Sequence, residues 1–322
     1  MRSLEGPWVA RSERRGALSR ARLGLMARDR RLGTERRQAV AGYLFVLPAM
    51  LIFLVFTLLP VLYAAYLSFT NYDVFTRQEW VGLLNYQLVF EDELFWRALH
   101  NTLYYTAASI PIGMAFGLGL ALLLNQRMRG LGFYRTAYYV PVVSSMVAVS
   151  MIWIQLFDPL YGVVSNALEV LGLAGIDWLG DPRWAMPSVV AVSVWKGLGW
   201  NMLIYLAGLQ GIPEHLKEAA AIDGAGRWQT FRSITLPLLA PTTFFIFVTS
   251  LIGAFQVFDQ VYVMTGGGPA NATTTLVHQI YNAAFRAFDM GYAAAMSFVL
   301  FGLILAISLL SLRYLRGEVE YQ

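Results

Sequence analysis

The chain has 322 residues and a net charge of +4, with 57% of its residues apolar and only 14% charged, against about 25% charged in an ordinary soluble domain. It contains no cysteine, which excludes disulfides, thiolate metal sites and cysteine nucleophiles. The apolar residues fall in long blocks between short polar connections, the layout of a chain whose solvent is lipid.

Residues 1–41 carry eleven arginines: Arg2, Arg11, Arg14, Arg15, Arg20, Arg22, Arg28, Arg30, Arg31, Arg36 and Arg37. A tract this basic could bind nucleic acid. An apolar block follows it directly, however, so it reads as a cytoplasmic tail that sets orientation in the membrane. It is too long for the basic region of a cleavable signal peptide, and no small-residue cleavage site follows the apolar block. Met26 is an alternative start, with residues 1–25 a dispensable extension.

A helix crossing the ~30 Å hydrocarbon layer needs about 20 mostly apolar residues. Six blocks meet that need: Gly42–Phe69, His100–Leu124, Tyr138–Phe157, Ala185–Leu209, Pro241–Met264 and Ala293–Leu312. The fold class is therefore all-α integral membrane, with residues 42–322 as one six-span domain. Apolar character runs all round each block, as membrane spans require. Pro48 and Pro60 should bend the first block. Gly113 and Gly117 in the second form a Gly-x-x-x-Gly step that lets helices approach closely.

The basic residues fix the expected orientation. With the amino terminus inside, the inner segments 1–41, 125–137, 210–240 and 313–322 hold nineteen of the 24 Lys and Arg residues. The outer loops 70–99, 158–184 and 265–292 hold only Arg77, Arg97, Arg183 and Arg286. Both termini are thus expected in the cytoplasm. The outer loop containing Glu91-Asp92-Glu93 is acidic instead.

The inner loop before the fifth block, Ile212 to Pro241, is the most informative stretch. Pro213 suits the first position of a helix, and Glu214 and Glu218 lie one turn apart in a strongly helix-forming run. Asp223-Gly224 and Gly226 stop that run. A second short helix follows through Trp228, Phe231 and Ile234, and Pro237 is expected to close it. Two short helices joined at a glycine make an elbow over residues 212–237. Ala219, Ala220 and Ala221 permit close approach by another protein, and Ile222, Trp228 and Phe231 supply apolar anchors.

Within this elbow Glu218-Ala219-Ala220, then Asp223-Gly224, then Ile234-x-Leu236-Pro237 resemble the "EAA" loop of ABC importer permeases. Trp195-Lys196-Gly197-Leu198-Gly199-Trp200-Asn201-Met202, Phe255–Thr265 with Gly266-Gly267-Gly268-Pro269, and the tail Arg316–Tyr321 are similar to carbohydrate-uptake permeases of the maltose and glycerol-phosphate type. The likeness covers roughly residues 40–322. It implies a type I ABC importer permease in the bacterial cytoplasmic (inner) membrane. In that family the elbow is the coupling helix that docks into the ATP-hydrolysing subunit, with Glu218 pairing with a basic group there and Gly224 permitting the turn. The implied partners are a second, different permease, two ATP-binding subunits holding ATP and Mg, and an extracytoplasmic sugar-binding protein.

The chain shows no active site of its own. A phosphate-cradling loop needs glycine directly before lysine, but Lys196 follows Trp195 and Lys217 follows Leu216. His100, His215 and His278 have no metal-ligand spacing, and no Gly-x-Ser-x-Gly elbow exists. ATP chemistry is thus expected on a partner chain.

Charges in a span cost about 2.5–3.5 kcal/mol each, so those present usually line a cavity or pathway. Lys196 lies near the midplane of the fourth block. Gly197, Asn201 and Tyr205 share one helical face at i, i+4, i+8, and Gln256, Asp259 and Gln260 share another at i, i+3, i+4. These faces are candidates for the substrate path, with Trp195, Trp200 and Tyr262 as stacking surfaces. The alternative is that Lys196 and Asp259 only lock helices together. The outer loop Gly266–Thr275 suits contact with the external binding protein. Sugar import is the favoured activity. A glycerol-3-phosphate or polyol importer is the nearest alternative, and an ion-coupled carrier or passive channel lies further off because no internal repeat is visible.

Overall fold

The computed structural model describes residues 38–73, 78–126, 129–170 and 176–315. The arginine tract through residue 37 and the tail from Arg316 onward lie outside the described residues. The chain divides into two units between Ala64 and Ala65.

The first unit is represented by α1 (Gln38–Leu67), which spans that division at its end. None of its large apolar side chains from Val40 to Tyr63 is buried, as suits a helix that faces lipid. The bend expected at Pro60 is absorbed by a π-turn over Leu54–Leu58, in which the Leu59 N–H bonds to the Leu54 carbonyl. A proline ring clashes with the carbonyl four residues back; the wider turn makes room for it without breaking the helix.

The second unit begins with a short antiparallel hairpin, β1 (Thr70–Asn71) with β2 (Glu79–Trp80), in register Thr70 to Trp80. Short α2 (Leu84–Glu91) leads into α3 (Glu93–Leu124), whose start is fixed by Asp92: its carboxylate accepts from the Leu94 N–H at 2.8 Å. Such a cap satisfies one of the free donors at a helix start. The third block is not one straight span. It divides into α4 (Leu131–Val143) and α5 (Met146–Leu156), bent by 100°. Pro141 removes a helical hydrogen bond near the end of α4, and Ser144 and Ser145 adopt extended backbone.

Short α6 (Val163–Val170) precedes α7 (Pro182–Gly211), which opens with an Asp181 cap and Pro182 in its first turn. The elbow follows as α8 (Glu214–Ile222) and α9 (Arg227–Leu238). Pro237 does not end α9, which contains a π-turn at Phe231–Thr235 and runs to Leu238. A 61° bend then leads into α10 (Ala240–Phe255).

The fifth block also departs from the single span expected to Met264. It breaks at Gln256–Phe258, and a separate helix, α11 (Asp259–Met264), follows. Consequently Gln256 and Gln260 do not share a continuous helical face. The chain closes with α12 (Leu276–Tyr281) and α13 (Met290–Leu315). Four described helices are long and apolar enough to cross a membrane, and two bent pairs bring the number to as many as six.

The helices of this unit pack around α3 and α7, which make its most extensive contact. The Gly-x-x-x-Gly step is the reason. A Cβ added at Gly117 would lie 2.5 Å from the Asn201 Cβ, closer than any side chain tolerates. One apolar cluster, with Phe95, Tyr105, Val189, Phe255 and Met296, joins α3, α7, α10 and α13. A second, with Ala121, Met202, Tyr205, Leu209, Leu239 and Ile246, fills the end nearer the elbow.

Candidate functional site

Two features carry chemistry or docking potential. The first is the elbow. α8 forms because residues 214–222 are almost all strong helix formers, and it stops in a Schellman turn. The Ala225 N–H bonds to the Ala220 carbonyl at 2.9 Å and the Gly224 N–H to the Ala221 carbonyl at 3.2 Å. That turn needs a left-handed residue, and Gly224 supplies it at φ +79°, as glycine can without strain.

Glu218 and Ala219 are exposed while Ala220 is turned inward. Glu218 forms no ion pair among the described residues. Ile222 is 86% and Trp228 70% exposed, large apolar side chains offered to a partner. Trp228 packs on Phe231 with centroids 5.4 Å apart and the rings tilted by 31°. Asp223, Leu236 and Pro237 are exposed and Ile234 is half-buried.

The second feature is a cavity of about 190 Å³ between α3, α7 and α10, well above the ~15 Å³ that one water requires. Tyr105, Ser109 and Gly113 of α3 face Ser193, Gly197, Trp200 and Asn201 of α7, and Ser250 of α10 completes the polar lining. Asn201 is buried, seated in the notch of the glycine step: a Cβ at Gly113 would lie 3.4 Å from its Nδ2.

Behind the lining, Gln260 donates from Nε2 to the Tyr105 hydroxyl at 3.0 Å and to the Ser193 hydroxyl at 3.1 Å. The Ser193 hydroxyl in turn donates to the Val189 carbonyl at 2.7 Å. The break before α11 is what carries Gln260 back to these two helices. The cavity thus presents hydroxyls, an amide and an indole face, a set that can exchange hydrogen bonds with a polyol while covering its apolar side.

Of the expected path residues, Gly197, Trp200 and Asn201 come together here. Tyr205 does not; it is buried in the second apolar cluster. Lys196 lies off the lining arc, and its ammonium donates to the Val142 carbonyl at 3.3 Å. Trp195 meets Trp153 edge-on at 5.4 Å and borders a separate apolar groove. Gln256 and Asp259 are exposed around the break. Tyr262 packs with Tyr281 at 5.2 Å beneath the Arg286 guanidinium, 5.7 Å from its ring centre.

Tyr105, Ser109, Ser193 and Ser250 were not singled out by sequence. The i, i+4, i+8 spacing of Tyr105, Ser109 and Gly113 is the signal that could have found three of the lining positions.

The loop Gly266–Thr275 is more deeply built in than its composition suggests. Thr273, Thr274 and Thr275 are buried. Asn101 of α3 donates to the carbonyls of Asn271 and Thr274, both at 2.9 Å, and Arg97 donates to that of Ala270 at 3.0 Å. Ala270 and Asn271 at its tip remain exposed.

A family model described as "Binding-protein-dependent transport system inner membrane component" matches residues 109–316, more than half of the chain. A lactose transport system permease protein, LacF, of Rhizobium radiobacter is 39% identical over 292 residues, 88% of this chain and 97% of that protein. A probable ABC transporter permease, YesP, of Bacillus subtilis is 38% identical over 89% of this chain and 94% of its own. The sn-glycerol-3-phosphate permease UgpA of Yersinia pestis is 38% identical over 87% and 95%. Among solved structures, a bacterial ABC transporter importing the acidic polysaccharide alginate aligns with a TM-score of 0.80 and 27% identity, covering 90% of this chain and 100% of that one. A bacterial alginate ABC transporter in complex with an alginate pentasaccharide-bound periplasmic protein aligns at a TM-score of 0.79 and 27% identity, over 88% of this chain and 96% of that one.

Proposed function

The chain belongs to the binding-protein-dependent transport system inner membrane components, the permeases of ABC importers, and from that premise we propose that the α3–α7–α10 cavity is its share of a sugar path. The observation that carries this reading is the lining itself: hydroxyls of Tyr105, Ser109, Ser193 and Ser250, the Asn201 amide and the Trp200 ring around one void. Sugars offer donors and acceptors on one side and C–H faces on the other, and this lining answers both. Relatives named for lactose and the alginate transporter support a saccharide cargo. The relative named for glycerol-3-phosphate keeps a polyol phosphate as the second reading.

In the full assembly both termini face the cytoplasm. An extracytoplasmic binding protein delivers the sugar, and a second permease supplies the other half of the path. Two separate ATP-binding subunits hold ATP and Mg, and this chain itself hydrolyses nothing. The elbow docks on one of those subunits through Glu218, Ala219 and the exposed Ile222 and Trp228, so that closure of the ATPase pair moves α8 and, through it, the end of α7. The rigid glycine turn at Gly224 suits a part that must transmit force.

The test is copurification in mild detergent followed by ATPase and uptake assays on the reconstituted complex. An ATPase and a second permease should accompany the chain, and uptake should fall at least about tenfold in Asn201→Ala. Trp228→Ala should instead lower sugar-stimulated ATPase activity together with uptake. A chain that always purifies alone would remove the coupling reading. Normal uptake of every sugar by Asn201→Ala together with Trp200→Ala would remove the path.

A further inference from the structure

We propose that the surface this chain offers to its cargo takes an uncharged glycosyl group and turns away phosphorylated and uronate sugars. The inference rests on the cavity being the sugar path and adds the charge of the cargo. Its polar lining consists of Tyr105, Ser109, Ser193, Trp200, Asn201 and Ser250, and no Asp, Glu, Lys, Arg or His is among the lining residues. Each neutral hydroxyl can both donate and accept, as sugar hydroxyls do. A phosphate or carboxylate, by contrast, needs several donors and a countercharge once water is stripped from it.

The cations that could have served are engaged elsewhere. Lys196 is one residue from Gly197 of the lining, yet its ammonium is turned to the Val142 carbonyl at 3.3 Å. Arg97 is held by the Ala270 carbonyl, and Arg286 lies over Tyr262.

Of the helices that line the cavity, none presents its amino terminus to it. Residues 105–113 and 193–201 belong to the middles of α3 and α7, so neither contributes an amino-terminal pole to the cavity. Ser250 and Ala254 belong to the last turns of α10, the end at which a helix carries partial negative charge. The amino-terminal end of α11 stands behind the lining, but there the Gln260 side chain, a neutral amide, meets Tyr105 and Ser193, so the case against an anion rests on the uncharged lining.

The experiment uses the complete importer in nanodiscs without its external binding protein, so that selection by the binding protein is removed. Saturation-transfer NMR is recorded against a panel of neutral disaccharides, aldobiouronic acids and sugar phosphates, on wild type and on Asn201→Ala. The expected result is transfer to at least one neutral member, at least about tenfold stronger than to any charged one, and lost in Asn201→Ala. Equal or stronger transfer to a uronate or phosphate, still lost in Asn201→Ala, would overturn the charge assignment while leaving the path intact. Transfer to no member, or transfer that Asn201→Ala leaves unchanged, would overturn the path and the inference with it.

Discussion

The ammonium of Lys196 meets the carbonyl of Val142 at 3.3 Å, one residue from the end of α4. The last four carbonyls of a helix lack intrahelical partners, and here they face the 100° bend into α5. A cation at that pole both donates a hydrogen bond and offsets the dipole, worth up to ~2 kcal/mol in a partly buried setting. Lys196 is thus a cap for a broken helix.

Lys196→Met should therefore lower the thermal midpoint of the purified complex, with Lys196→Arg retaining much of it. Sugar affinity of the folded complex should stay near wild type. A variant that keeps its midpoint and loses sugar binding would return Lys196 to the path.

Gln260 holds two hydroxyls that line the cavity without lining it itself. Gln260→Leu removes the donor to both hydroxyls; Ser193 keeps its bond to the Val189 carbonyl, so the cost of about 1–3 kcal/mol for a buried polar group left short of a partner falls mainly on Tyr105. Uptake kinetics should show a raised KM, and Gln260→Glu should be impaired as well, because a carboxylate has no N–H to donate to these oxygens and brings a buried charge. A KM unchanged in Gln260→Leu would contradict the positioning role.

The two glycines of the α3 step should respond differently. A methyl at Gly117 collides with Asn201 at 2.5 Å, whereas one at Gly113 meets only the Asn201 Nδ2 at ordinary contact distance, 3.4 Å. Gly117→Ala should cost roughly 1–3 kcal/mol of stability by overpacking, seen as a lower thermal midpoint. Gly113→Ala should fold normally and reduce transport, because its methyl enters the cavity. The reverse pattern would place the tight helix contact at Gly113 and the cavity at Gly117.

His278 carries a pH dependence. It is buried against Phe258 and Tyr262, and its Nε2 has no hydrogen-bond partner among the described residues. Burial first, and the Arg286 charge second, hold its imidazole below the usual value, which is about 6.5. Above pH ~6.5 the ring is neutral both folded and unfolded and contributes nothing. As pH falls through the window below that value the unfolded chain binds the proton first, so stability drops until the folded value is passed. Thermal midpoints measured across pH 7.5 to 5 should fall, and His278→Gln should flatten that slope; an unaltered slope would exclude His278 as its source.

The spans were legible because membrane helices are written in long apolar runs, and the elbow because Gly224 and the Glu218-Ala219-Ala220 run are local signals. What escaped was set by contacts between distant segments. The bend at Ser144–Ser145 follows apolar residues that read as one block. The break after Phe255 sits in a run, Gln256-Val257-Phe258, that no rule of spacing flags. That break is also why Gln260 reaches Tyr105, 155 residues away in sequence. Tyr205 has the right spacing from Asn201 and still faces the apolar cluster, since the packing of α10 and the end of α3 decides what each turn of α7 meets.

The bend in the third block has a mechanical consequence. α4 lies against α7, where a side chain at Gly199 would strike the Tyr138 carbonyl, and α5 lies against α11. A straight rod would oblige both neighbours to tilt as one. A jointed strut leaves α7 and α11, which carries Gln260, free to tilt by different amounts. Lys196 of α7 holds the α4 side of the joint through the Val142 carbonyl, and Trp195 beside it meets Trp153 on the α5 side, so two successive residues of one helix grip both sides of the bend.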